Sequence, residues 1–277
     1  MKTSSITVRG LVDVVIVETI KLSAQLKTRL LVVACIVAPF LFAAALTLQS
    51  TLPEDTLFGR AAKDSGFSLS LVILSFGALW PFAVLTSVVA GDLFAAEDRY
   101  GTWATLLTRT RSRAELFWGK VATAFGASTL AVLTLGLSSL AAGTWIIGTQ
   151  PLVDLTGMER LPADAATIVT SAWIAVLPGA LAFTSVAVLL SIVTRNSAAG
   201  IGVPIVLGLL MQLYAFVDGP ELVRRLLLTT TFGDWHGLVA LPAFTRPLWH
   251  GLAVSSGHIV LCLAGSYRLM ARRDIGN

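Results

Sequence analysis

The sequence predicts an all-α membrane protein of six spanning helices, and three observations carry that expectation. Of its 277 residues, 55% are hydrophobic and only 13% charged, where a soluble domain has about 25% charged, and the mean hydropathy is +0.81. Six charge-free runs are each long enough to span: Leu30 to Pro53, Ser65 to Gly91, Val121 to Val153, Ala165 to Thr194, Asn196 to Val217 and Pro247 to Tyr267. About 20 helical residues at 1.5 Å rise cross a hydrocarbon core of about 30 Å, and a helix satisfies its own backbone hydrogen bonds there. Third, lysine and arginine divide unevenly between the two sets of connections. We therefore read residues 1–277 as one transmembrane domain with spans at about 30–50, 66–92, 119–148, 165–193, 197–217 and 248–267.

The segment before the first span, residues 1–29, places Val8, Leu11, Val12, Val15, Ile16, Thr19, Ile20, Ser23 and Leu26 at helical spacing, with Arg9, Asp13, Glu18, Lys21 and Gln25 mostly elsewhere. That pattern suits an amphipathic helix lying on the inner leaflet, with a solvated tail as the alternative. A cleaved signal peptide is not expected. Its basic region would be unusually long, and the apolar run continues past Ala43-Ala44-Ala45 as a full span.

Fourteen of the 20 lysines and arginines fall on the side of the two termini: Lys2, Arg9, Lys21, Lys27, Arg29, Arg99, Arg109, Arg111, Arg113, Lys120, Arg195, Arg268, Arg272 and Arg273. Six fall on the other, at Arg60, Lys63, Arg160, Arg224, Arg225 and Arg246. The positive-inside rule then puts both termini, including the tail 268–277, in the cytoplasm. In the third span Trp118 and Trp145 are 27 residues apart, about 40 Å of helix, which matches an interface-to-interface distance. Trp249 marks the outer start of the sixth span. The formal charge of +4 speaks to topology and not to nucleic acid.

Two connections are long. The outer one, Asp218 to Arg246, opens with Gly219-Pro220-Glu221, a stop followed by a Pro suited to the first turn of a new helix. Its apolar stretches are too short to cross, so with Phe232, Trp235 and Phe244 it either re-enters between helices, sits in the interface, or lies on the surface. The cytoplasmic one runs from Ala95 to Lys120. Gly101 suits the left-handed end of the preceding helix, and Thr102 suits the start of a short one carrying Trp103, Leu106 and Leu107. Ser112-Arg113-Ala114-Glu115 has the capping-box pattern that starts the third span. An apolar-faced cytoplasmic helix is a docking knob for a soluble partner, or ordinary positive-inside loop with its apolar side chains on the membrane.

At these residues the chain resembles the permease subunits of ABC-2 type ATP-binding-cassette exporters, whose pattern here is close to E-x3-G-T-x3-L-L-x2-P-x-S-R-x5-G-K. Glu97, Gly101, Thr102, Leu106, Leu107, Ser112, Arg113, Gly119 and Lys120 match it, while Thr110 stands where the family usually has Pro. The ending from Tyr267 to Asp274 resembles the family's aromatic-x4-R-R-D. The resemblance implies a bacterial inner-membrane subunit that pairs with a second permease, identical or related, and with two cytoplasmic ATPase subunits. It makes the stretch from Thr102 to Thr108 the coupling helix, with Trp103, Leu106 and Leu107 entering a groove on the ATPase and Glu97, Arg113 and Lys120 orienting the connection.

Other chemistries find little footing. No G-x4-G-K-[ST] loop is present, so ATP and magnesium belong to the partner ATPase, and no cofactor is expected in this chain. The spans carry almost no charge, which argues against an ion-coupled carrier and for an ATP-driven exporter of a hydrophobic or amphipathic compound, drug-like, antibiotic or lipid-like. Pro39, Pro81, Pro178 and Pro204 suit kinks or ordinary packing, as Gly200, Gly202 and Gly208 suit close approach. Cys35, Cys262, His250 and His258 make no metal pair. Ser255-Ser256-Gly257-His258 has the wrong order and spacing for an intramembrane serine protease, so no catalytic residue is expected. A passive channel or scaffold without an ATPase is the alternative function.

Overall fold

A computed structural model describes residues 7–49, 58–103, 112–214, 217 and 219–272. Helix α1, Val8–Ala24, is followed after a break at Gln25 by α2, Leu26–Leu48. Then come α3, Gly66–Leu79, α4, Pro81–Ala90, and the short α5, Ala95–Arg99. The longest helix, α6, Arg113–Ala142, ends in a π turn at Gly143–Ile147. After α7, Pro162–Ala175, α8, Leu177–Thr194, and α9, Ser197–Tyr214, the chain runs through α10, Glu221–Leu226, a 3-10 turn Leu228–Gly233, and α11, His236–Val239, to the closing helix α12, Arg246–Ala271.

Five of these segments are long and apolar enough to cross a membrane, with α7 and α8 together forming one of them. The expected span at 66–92 is not a continuous helix. It is the pair α3 and α4, bent by 62°, and it makes a sixth crossing only if the pair is one span. Trp80 leaves the helical region at φ −151, and Pro81 starts the next helix without an N–H, which ends the hydrogen-bond ladder at this point. A second departure from an all-helical chain is a two-stranded hairpin, Leu152–Val153 against Glu159–Arg160. Its turn is built by Asp154, whose Oδ1 accepts from the amides of Thr156 and Met158 at 2.8 and 3.0 Å, the local side-chain-to-backbone bonding that makes Asp a turn residue.

The spanning segments extend slightly beyond their charge-free cores. Helix α2 takes in Lys27 and Arg29, and α6 begins at Arg113. Trp118 and Trp145 lie near the two ends of the α6 segment, Trp145 being 82% exposed.

The core between the helices is aromatic with hydroxyl links. Phe82 packs edge-on to Trp173 at 6.1 Å and against Phe232 at 5.2 Å, and Phe232 stacks on Phe183 at 5.6 Å. Trp173 donates its indole N–H to Ser70 Oγ at 3.1 Å, and Ser70 meets Ser139 at 2.7 Å. These bonds satisfy polar atoms that have no water to turn to. The long connection before α12 is part of this core: Leu228, Phe232, Trp235 and Val239 are buried, so the segment inserts its aromatic side chains between helices, while Phe244 stays exposed. On the outside, α2 presents Val32, Val33, Ile36, Val37 and Leu41, and α9 presents Val206, Leu210 and Leu213. Apolar faces of that extent are what a bilayer covers.

Candidate functional site

The connection between α4 and α6 is fastened at both of its described ends. Gly101 has φ +64, the left-handed conformation that costs a residue with a Cβ. This lets the Thr102 amide reach back to the Glu97 carbonyl at 3.0 Å, closing α5 as a Schellman turn does. At the far end the expected capping box is present. Ser112 Oγ accepts from the Glu115 amide at 3.1 Å, and Glu115 Oε2 accepts from the Ser112 amide at 3.0 Å.

Glu115 also serves a second helix. Its Oε1 accepts from the amide and hydroxyl of Thr7 at 2.9 and 2.6 Å, and Thr7 Oγ1 in turn accepts from the Gly10 amide to cap α1. One carboxylate therefore joins the N-termini of α1 and α6. The two helices can approach because Gly10 and Gly119 face the contact: a Cβ on Gly10 would stand 2.3 Å from Glu115 Oε1, and one on Gly119 2.4 Å from Val14 Cγ1.

Two turns into α6 lies Lys120, fully buried. Its ammonium donates to Glu18 Oε2 at 2.7 Å, to Glu97 Oε1 at 2.9 Å and to the Leu93 carbonyl at 3.1 Å. Three donors meet three acceptors, so each N–H of the buried side chain has a partner. Lys21 completes the cluster from α1, donating to Glu18 Oε1 at 2.9 Å and Glu97 Oε1 at 3.0 Å. Thr102 Oγ1 donates to Glu97 Oε2. Burial pushes the Glu97 carboxyl up, but Lys120, Thr102 and Lys21 together overcome it and hold the group down at about 2. Burial opposes the charge of Lys21 as well, yet its bonds to Glu18 and Glu97 raise its pKa.

The cluster has two ammonium groups and two carboxylates, and so no net charge. It binds three segments: α1 through Glu18 and Lys21, the connection through Glu97, and α6 through Lys120. Trp103 adds an apolar tie. It is 6% exposed and stacks on Phe94 at 6.4 Å with an interplanar angle of 25°, so its ring lies inside this chain. Arg113 donates to the carbonyl of Ala271 at 3.2 Å, linking α6 to the end of α12. Leu106 and Leu107 lie outside the described residues.

Of the residues singled out by sequence, Glu97 and Lys120 are brought into contact, Gly101, Thr102, Ser112 and Glu115 shape the ends of the connection, and Gly119 lets α1 approach. Glu18, which the sequence pattern puts on the polar side of α1, is buried instead. The signal for it is positional: Gly10, Val14, Glu18 and Leu22 repeat every four residues, and all four are buried, so the acid sits on the packed face while Val8, Val12, Ile16 and Ile20 are exposed. Among the described residues, no group of three or more His, Cys, Asp or Glu could hold a metal ion. The arrangement contains no nucleophile with an adjacent base. It is a set of paired charges that ties α1, the connection and α6 together.

A family model described as ABC-2 family transporter protein matches residues 14–211. That range contains the whole connection, Glu18 and Lys120. No curated protein matches the chain.

Proposed function

Because this chain belongs to the ABC-2 family of transporter proteins, we propose that it is the membrane-spanning subunit of an ATP-driven exporter that moves a hydrophobic or amphipathic compound, drug-like, antibiotic or lipid-like, out across the bacterial inner membrane. In this reading the bent pair α3 and α4 is one span, which gives six, and both termini are cytoplasmic. Two cytoplasmic ATPase subunits supply the energy and hold ATP and magnesium, and a second permease, identical or related, completes the pathway.

The stretch from Thr102 to Thr108 is the coupling helix, with Leu106 and Leu107 docking on the ATPase. Trp103, packed on Phe94, anchors that helix to its own chain. The observation that carries this reading is the Glu18–Lys120–Glu97–Lys21 cluster. A push on the connection is poorly absorbed locally, since moving Glu97 alone would take from buried Lys120 one of its two carboxylate partners and unbalance the charges of the cluster. The displacement passes instead to α1 and α6 as a unit, and from α6 to the spans packed on it. The bend at Trp80 gives the helix pair next to the connection a place to flex.

The test is affinity purification of the tagged chain in mild detergent, with mass spectrometry for a co-purifying cytoplasmic ATPase. Replacing Leu106 and Leu107 by Asp is expected to release the ATPase while the permease stays folded. Undiminished co-purification of that variant would overturn the coupling assignment, and a chain that never brings down an ATPase in several detergents would favour the channel or scaffold alternative.

A further inference from the structure

We propose that the cleft between the starts of α2 and α9 binds the phosphate headgroup of an anionic lipid. The cleft has a volume of about 390 Å³, and Lys27, Asp92, Arg99, Tyr100, Ser197 and Ile201 are among the residues lining it. Lys27 comes from the first turn of α2, Ser197 is the first residue of α9, and α4 packs against both helices.

Two cations converge there on one carboxylate. Lys27 Nζ is 2.7 Å from Asp92 Oδ2, and Arg99 Nη2 is 3.8 Å from the same oxygen. The three groups leave one positive charge, and the geometry places it on Arg99. The Lys27 contact is a close hydrogen-bonded pair, whereas Arg99 stands beyond hydrogen-bonding distance of Asp92 and its side chain is 51% exposed. Its guanidinium carbon lies 4.7 Å over the Tyr100 ring, and Nη2 donates to the Tyr100 hydroxyl at 3.1 Å. Stacking holds the planar group in place without using its remaining N–H donors, and that fork matches a phosphate in two-point contact. The amides at the start of α9 are not the anion site, because Asn196 Oδ1 accepts from Ala198 and Ala199 at 2.9 and 3.2 Å.

The surroundings select a lipid. Both helices that form the cleft begin crossing the bilayer at this level, so the charge sits at headgroup depth. Leu26 and Ile201 border it, and the exposed faces of α2 and α9 continue away from it as apolar surface for acyl chains. The inference rests on the reading that this basic end is cytoplasmic, where anionic lipids give the leaflet a negative potential worth about 1 kcal/mol per basic residue.

The experiment titrates the purified full-length chain in detergent with phosphatidylglycerol or phosphatidylcholine and counts retained lipid by native mass spectrometry. Phosphatidylglycerol is expected to be retained about fivefold better, the ratio that one such residue supplies. Arg99→Gln is expected to abolish the preference, Arg99→Lys to keep part of it, and Arg225→Gln, in α10, to leave it unchanged. Equal retention of the two lipids by the unmodified chain, or an undiminished preference in Arg99→Gln with an unchanged melting temperature, would overturn the proposal. Displacement of phosphatidylglycerol by millimolar inorganic phosphate would make the free ion the ligand and overturn the lipid assignment. Neither ATPase nor ATP enters this measurement, so its failure leaves the transporter reading standing, and loss of ATPase co-purification leaves the lipid result standing.

Discussion

The ammonium of Lys120 lies 2.7 Å from a carboxylate oxygen of Glu18, a residue 102 positions earlier in the chain. The contact sits inside a cluster in which each charge has an opposite partner, and it fixes the amphipathic entry helix to the longest span. Neutralising one member should therefore cost more than removing the pair. Lys120→Met is expected to destabilise the purified chain by about 3–5 kcal/mol, because Glu18 and Glu97 must then share Lys21 between them and one buried negative charge goes uncompensated. Adding Glu18→Gln should restore part of the loss, since it removes the one carboxylate charge that Lys21 cannot balance. Thermal unfolding of the single and double variants in detergent checks this, and a double variant less stable than Lys120→Met would contradict it.

Glu115 ties two helix N-termini, so its loss should be felt on both. Glu115→Ala removes the box that starts α6 and the acceptor for the Thr7 amide and hydroxyl. About 1 kcal/mol is expected for the lost cap, with a similar share for the tie to α1. Hydrogen exchange should quicken in the first turn of α1, around Val8 to Leu11, as well as after Arg113. Faster exchange after Arg113 alone would mean that α1 is held by its other contacts.

Local features were legible in the sequence and long-range ones were not. Hydropathy places the spans because a bilayer filters every stretch of about 20 residues by the same criterion. The capping box at Ser112 and the left-handed Gly101 were legible because each is a matter of a few adjacent residues. Pro81 was visible as a kink candidate, and its missing N–H does end the ladder there; what no local signal gave was the 62° angle of the break or the seat of Phe82 against Trp173 and Phe232. The burial of Phe232 and Trp235 had the same character, an open choice between surface and insertion until their partners were known. The pairing of Glu18 with Lys120 left a trace only in the four-residue spacing from Gly10 to Leu22, and that trace names the buried acid without naming its lysine. Leu106 and Leu107, whose docking role is what the family pattern implies, lie outside the described residues.

Two carboxyl groups outside the spans should give the stability opposite slopes with pH. Glu97 is held down at about 2 against an ordinary 4.5, so its contribution is present above 4.5 and is lost as pH falls from there toward 2. Asp234 is pushed up to about 7 from an ordinary 3.8 by burial. The folded chain keeps its proton through that interval, so stability falls as pH rises from about 4 to about 7. Between pH 5 and 8 the Asp234 effect is expected to dominate the comparison with Asp234→Asn: the melting temperature of the unmodified chain should fall with pH more steeply than that of the variant. Parallel curves would show that Asp234 is not the group responsible.

Gly91 and Gly200 give the sharpest packing test, because each sits where the other's backbone would meet a side chain. A Cβ on Gly200 would stand 2.1 Å from the Gly91 carbonyl oxygen, and one on Gly91 would stand 2.3 Å from that of Gly200. Backbone cannot swing aside as a side-chain tip can, so Gly200→Ala must separate α9 from the end of α4. Overpacking of this kind costs about 1–3 kcal/mol, and it acts next to Ser191, whose Oγ accepts from the amides of Phe94 and Ala95 at 3.2 and 3.0 Å. A Cβ on Gly202, on the same helix, would meet nothing within 4 Å among the described residues. Gly202→Ala should therefore show only the helix preference for alanine, a gain of up to about 1 kcal/mol. Thermal unfolding of the two variants should move in opposite directions. A stable Gly200→Ala chain would mean that α4 and α9 are not in backbone contact, and with it would fall the close seat that this contact gives α9 beside the connection.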